Sequence, residues 1–169
     1  AKNQVCLGNL FTLDKKSYKH GFYRFPRIDY KMLKEHGEGL VVSTACVGGL
    51  ASGLIYRQFG GMRFDELHPG LVDNLDNYNP IMSRLENMTD RFVDCVGPDN
   101  FFLEMQFNDL PAQHLTNRCL MDLSLKTGVP LIATADSHFP SSDKWQAREL
   151  YKKLGWMGAK LDQSMLPKE

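Results

Sequence analysis

Three residues carry the side chains best suited to chemistry, and their placement matters more than their number. Cys46 sits in the small-residue run Thr44-Ala45-Cys46-Val47-Gly48-Gly49, and Asp136 and His138 form an Asp-x-His pair in Thr134-Ala135-Asp136-Ser137-His138-Phe139. A thiolate, a carboxylate and an imidazole are the groups that bind zinc or a similar divalent metal. Residues i and i+2 just beyond a strand can project the same way, so Asp136 and His138 could reach one metal cluster. Each piece also has a plainer reading. A lone cysteine in a tight turn is more often a buried structural thiol, and an aspartate at a strand end often caps a turn.

The elements that must position these groups follow from periodicity. The Gly39–Ser43 run Gly-Leu-Val-Val-Ser reads as a buried strand ending just before Cys46. Val129–Ala135 reads as another strand, apolar on both faces and ending just before Asp136, as in a parallel sheet covered by helices. Between them Phe101–Gln106 reads as a strand with Phe101, Leu103 and Met105 on one face and Phe102, Glu104 and Gln106 on the other. Helices are expected over Asn3–His20, with an apolar face of Leu7, Leu10, Phe11 and Tyr18, and over a short stretch capped by Asp29 and stopped by Gly37. Further helices are expected over Leu50–Phe59, Ile81–Val96, Pro111–Thr127 and from Ser141 or Ser142 to about Leu154. Gly60–Asn79 reads mainly as loop. Strands alternating with helices imply an α/β layout, in which the carboxyl ends of parallel strands carry the site.

Other residues rank lower. Glu104 and Gln106 could line an interior as outer supports of a metal site. Arg24 and Arg27, in a loop held by Pro26, could meet phosphates. Lys15, Lys16 and Lys19 read as a solvated helix face, and His20, His36, His68 and His114 read as non-ligands.

Composition narrows the class. Lys plus Arg and Asp plus Glu are 20 each, giving zero formal charge, which argues against a dedicated basic clamp for nucleic acid but not against a local patch. Mean hydropathy is −0.34 and no apolar run approaches a membrane span, so no membrane partner is expected. The four cysteines, at 6, 46, 95 and 119, form no CxxC pair and read as reduced thiols. No GxxxxGK[ST], GxGxxG or GxSxG motif occurs.

Four segments in order carry a family resemblance: Gly21-Phe22-Tyr23-Arg24-Phe25-Pro26-Arg27-Ile28-Asp29, Glu38 to Gly49, Phe101 to Gln106, and Ala133 to Phe139. Together the chain resembles the PHP (polymerase and histidinol phosphatase) domain of C-family replicative DNA polymerases, the bacterial polymerase III alpha type. Its divergent wording fits a phage-encoded or otherwise distant member. The resemblance implies a distorted (βα)7 barrel of which this is the C-terminal portion, over 1–155, with 156–169 as a tail or the start of a linker. It also implies metal ligands at Cys46, Asp136 and His138, with zinc or manganese as cofactor. Ala45 stands where the family usually has Gly, Ala135 where it usually has Asn, and Arg148 where it often has His.

The family's opening His-x-His ligands lie upstream of anything present here, and three strands cannot close a barrel. The expectation is therefore an incomplete domain whose metal site is completed by residues outside this chain, the absent N-terminal half being its partner. The resemblance implies a cytoplasmic replicative polymerase with DNA and replisome partners. Its PHP module would act as a metal-dependent 3′–5′ exonuclease or structurally, and no catalytic base is assigned. The polymerase palm is not in this stretch. The alternatives are a stand-alone PHP phosphoesterase and a non-catalytic scaffold.

Overall fold

The computed structural model describes residues 1–156, which divide into two compact units, Ala1–Ala135 and the segment from Asp136 onward. In the first unit the order is α1 (Gln4–Lys19), α2 (Tyr30–His36), β1 (Val42–Ser43), α3 (Leu50–Tyr56), α4 (Leu75–Val96), β2 (Phe101–Gln106), α5 (Pro111–Thr127) and β3 (Leu131–Thr134). The second unit has a short 3-10 turn (Ser142–Lys144) with Ser141 at its N-cap, then α6 (Trp145–Trp156). The expected tail lies, apart from Trp156, outside the described residues. Among the described residues no helix is long and apolar enough to cross a membrane.

The sheet is parallel, in the order β1-β2-β3. Val42 pairs with Phe101 and Ser43 with Phe102, while Leu103 to Gln106 pair one for one with Leu131 to Thr134. The central strand decides the core. Phe101 and Leu103 are fully buried, and the Phe101 ring stacks on Phe92 of α4 at 4.9 Å. Ile81 and Leu85 of α4 and Leu115, Leu120 and Leu123 of α5 complete the same core. The alternation of apolar and polar residues along β2 thus aims one face at the helices and leaves Phe102 and Glu104 on a half-exposed face.

Local signals set most boundaries. The Asn3, Asp29 and Asn74 side chains accept the first amide bonds of α1, α2 and α4. Gly128, left-handed at φ +74°, ends α5.

Several expectations need correction. Part of the expected loop is helix: α4 begins at Leu75 and runs through Pro80. The ring deletes the amide that would bond the Asp76 carbonyl, and Asp76 is exposed, so water can take that bond. On α1 the buried stripe is Cys6, Leu13 and Ser17, while Leu10, Phe11 and Tyr18 are exposed. That stripe is narrow because α1 packs chiefly on α2 and on the Gly39 bend, where an added Cβ would sit 1.9 Å from the Cys6 sulfur. β1 is two residues long rather than five. β3 is shorter than expected and is not covered on both faces: it is an edge strand, with Leu131 39% exposed.

Leu103→Ala should lower unfolding free energy by about 3 kcal/mol, because it opens a void between the sheet and α5. Urea denaturation followed by far-ultraviolet circular dichroism measures this. A loss under about 1 kcal/mol would mean that the β2 face is not the core.

Candidate functional site

The half-exposed sheet face gathers around one carboxylate. Glu104, mid-way along β2, accepts from Ser43 Oγ of β1 at 2.5 Å and from Thr134 Oγ1 of β3 at 2.6 Å. Gln106 Nε2 adds a third bond at 3.3 Å. The register explains the geometry, since Ser43, Glu104 and Thr134 share one face of adjacent parallel strands. These bonds, those from Ser43 and Thr134 foremost, hold the Glu104 carboxyl below the usual carboxylate range despite partial burial, and the Ala45 amide adds to the effect. The Thr44 hydroxyl extends the ladder beyond β1 by accepting from the Glu104 amide at 2.8 Å.

This same frame positions Cys46. Ala45, between the ladder and the cysteine, is left-handed at φ +59°. Its side chain makes that conformation costly, which is why a glycine suits the position. The turn then closes by the Gly49 amide bonding the Cys46 carbonyl at 2.8 Å, with Ser52 Oγ donating to that carbonyl at 3.0 Å. Behind Ser52 stand Thr116 of α5 and the Tyr56 hydroxyl, which also bonds the Ala112 carbonyl. Burial pushes the Tyr56 phenol upward, so it is neutral at physiological pH. An added Cβ at Gly49 would lie 2.4 Å from the Thr44 carbonyl, so the turn admits only glycine there.

Asp136 and His138 open the second unit, two and four residues past β3. Asp136 is also left-handed, at φ +49°. His138 Nδ1 lies 2.6 Å from the Asp136 carbonyl oxygen. That bond assigns the proton to Nδ1 and leaves the Nε2 lone pair for a ligand, the arrangement typical of metal-binding histidines. Among the described residues, two of the three non-glycine residues with positive φ, Ala45 and Asp136, stand just past the carboxyl ends of β1 and β3. Backbone strain of this kind concentrates at functional sites.

The donor chemistry of Cys46, Asp136 and His138 fits zinc or manganese, and so does the His138 tautomer. Among the described residues, however, no three His, Cys, Asp or Glu side chains are grouped closely enough to hold a metal. Arg27 takes no part in the sheet face: its guanidinium lies over the Tyr23 ring at 5.2 Å and donates to the Gly21 carbonyl. Past the carboxyl end of β2 a cavity of about 560 Å³ is lined by Met105, Phe107, His114 and Met121 among others. Its walls are largely apolar, its Arg118 is engaged by Asp73, and its Asp109, His114 and Asp122 are not grouped closely enough to hold a metal.

Glu104 and Gln106 stand out in the sequence, but the two hydroxyls that bond Glu104 do not. Ser43 and Thr134 were readable as strand residues, yet only the register shows that they face Glu104. Ser52, Tyr56 and Thr116 carried no sequence signal, being three hydroxyls spread over two helices.

A parallel α/β sheet, helices on its apolar face and polar groups on the other and past its strand ends define the class. Residues 1–108 match the PHP domain, and the chain belongs to that family. It is 34% identical over 139 residues to the DNA polymerase III subunit alpha of Aquifex aeolicus, covering 82% of this chain and 10% of that protein. It is 33% identical over 169 residues to that of Borreliella burgdorferi, covering all of this chain and 13% of the relative. For Thermus aquaticus the figures are 29% over 150 residues, 89% of this chain and 10% of the relative. The chain thus spans only about a tenth of the length of the curated relatives it matches.

Two outcomes are expected. Ala45→Gly should stabilise the fold by about 1 kcal/mol in thermal or urea unfolding by relieving the left-handed strain; a destabilised variant would remove the strain argument. Glu104→Gln should destabilise by about 1–3 kcal/mol, because an amide cannot accept from every donor around it. The pH dependence follows from the lowered folded-state pKa of Glu104. The unfolded chain binds this proton more readily, so the contribution is complete above about pH 4.5 and is lost as pH falls through the folded value. Glu104→Gln should flatten that part of the acid limb, and an unchanged limb would show that the carboxylate is not held by these donors.

Proposed function

We propose that this chain is the C-terminal portion, over 1–155, of the PHP module of a polymerase III alpha type replicative DNA polymerase. In this reading Cys46, Asp136 and His138 are ligands of a zinc or manganese centre, and further donors come from residues outside this chain. The observation that carries the reading is the position of these three residues, each just past the carboxyl end of a strand in one parallel sheet, in a chain of the PHP family. The (βα)7 barrel would be completed by strands beyond the three described. DNA and the other replisome subunits would be partners of the whole polymerase, in the cytoplasm.

The reaction would be hydrolysis of a phosphodiester at a 3′ end. A bound divalent metal lowers the pKa of water and polarises phosphate oxygens. The chain's own residues serve that chemistry by holding position. The Asp136 carbonyl orients the His138 ring, and Ser52 and the Gly49 amide fix the carbonyl of Cys46. The Glu104 carboxylate ties together the strand ends that precede both groups. None of these residues acts as the base.

The test is metal content and nuclease activity together. The purified parent polymerase that carries this chain, supplied with manganese or zinc, should bind metal and shorten a single-stranded oligonucleotide labelled at its 5′ end. Asp136→Ala and His138→Ala should each weaken metal binding by at least about tenfold, since each removes one donor directly. Metal content unchanged by Asp136→Ala would sink the ligand assignment and favour a scaffold. Cleavage of p-nitrophenyl phosphate without cleavage of the oligonucleotide would favour a phosphomonoesterase.

A further inference from the structure

Cations and exposed aromatic rings are concentrated at the end of α1 and in the segment joining it to α2. From Lys15 to Ile28 the sequence has Lys15, Lys16, Lys19, Arg24 and Arg27 and no carboxylate, in a chain whose total charge is zero. Interleaved with these cations are Tyr18, Phe22, Tyr23 and Phe25, all exposed, with Phe25 at 74% and Tyr23 at 65%. Among the described residues, no carboxylate lies within ion-pair distance of Lys15, Lys19, Arg24 or Arg27; Lys16 alone of the five reaches one, Glu35 at 3.5 Å.

The segment is built rather than loose. Its return is locked at Gly21, where an added Cβ would lie 1.9 Å from the Arg27 carbonyl, and the Tyr23 amide bonds the Phe25 carbonyl at 3.1 Å. Arg24, at the tip of that tight bend, is left-handed at φ +64°. Tyr18 and Phe22 stack at 6.3 Å with their planes 20° apart, and Arg27 covers the Tyr23 ring. Rings and cations are therefore presented together in a fixed arrangement.

We infer that the Tyr18–Arg27 segment is a docking surface for single-stranded nucleic acid, whose bases stack on the exposed rings while Lys15, Lys19, Arg24 and Arg27 meet its phosphates. Stacking platforms interleaved with cations are how proteins hold single strands without reading sequence. Charge complementarity selects a polyanion. Four exposed rings select one with π faces, since an acidic peptide would satisfy the cations and leave the rings in water. This surface is independent of the proposed metal ligands.

Fluorescence anisotropy of the full chain with a labelled oligothymidylate of about 12 nucleotides tests the inference. Binding should weaken with salt, with a log–log slope of about −0.7 for each phosphate neutralised. Phe25→Ala should weaken binding about tenfold, and Lys19→Ala with Arg24→Ala should reduce the slope by about 1.4. All these residues are exposed, so circular dichroism should confirm that the variants fold. Metal content of Phe25→Ala should match the parent chain, which keeps failure of this surface distinct from failure of the ligand assignment. Three results would overturn the inference: no binding at low salt, equal affinity for Phe25→Ala, or a duplex bound as tightly as the single strand. A concentration-dependent dimer that Phe25→Ala abolishes, without oligonucleotide binding, would overturn it in favour of a protein interface.

Discussion

The Glu104 carboxylate joins all three strands of the sheet through side chains, and the loop that carries Cys46 depends on it. β1 contributes only two residues of ladder to β2, too little to hold a strand edge by backbone bonds alone. The Ser43 hydroxyl, the Thr44 hydroxyl and the Ala45 amide all converge on the Glu104 residue and supply the missing ties. The Thr134 hydroxyl does the same from the other side, so one ionised group in the central strand registers the strands that precede both Cys46 and Asp136. A carboxylate held by several donors is a stronger anchor than a neutral group would be.

Packing and strain divide the labour on the two faces of this sheet. The helix-covered face supplies stability through apolar burial around Phe101 and Leu103. The other face supplies precision, holding Ala45 in a conformation it would not adopt alone. Ser52, one of the few buried polar side chains, joins the two, since it sits in α3 against the Thr116 hydroxyl of α5 and bonds the Cys46 carbonyl.

Much of this was legible in the residues. The alternation in Phe101–Gln106, the proline and glycine that bracket Pro111–Thr127 and the Asp29 cap each act through neighbours in sequence, and each element lies where those signals place it. The errors arose where distant contacts decide. Asn79-Pro80 reads locally as a break, yet α4 runs through it, and Asp76, whose carbonyl loses its helical bond there, is exposed. The aromatic residues of α1 imply a buried face, but α1 has too little to pack against to bury them. Val129–Ala135 is apolar enough for a central strand and forms an edge instead, since burial depends on which elements lie beside it. Cys46, Asp136 and His138 were identifiable as donors from their types and from the strands before them. The hydrogen bonds that support them needed the register.

The sheet's order along the chain also governs when it can form. Among the described residues β1 pairs only with β2, about 60 residues downstream, and this central strand comes after four α-helices, so parallel pairing must wait for long-range closure. On the ribosome, α4 would emerge before β2 and α5, which complete the core that holds Ile81 and Leu85. The nascent chain would thus pass through a stage at which the longest of its described helices is complete and its sheet does not yet exist, a natural point for a chaperone to engage it.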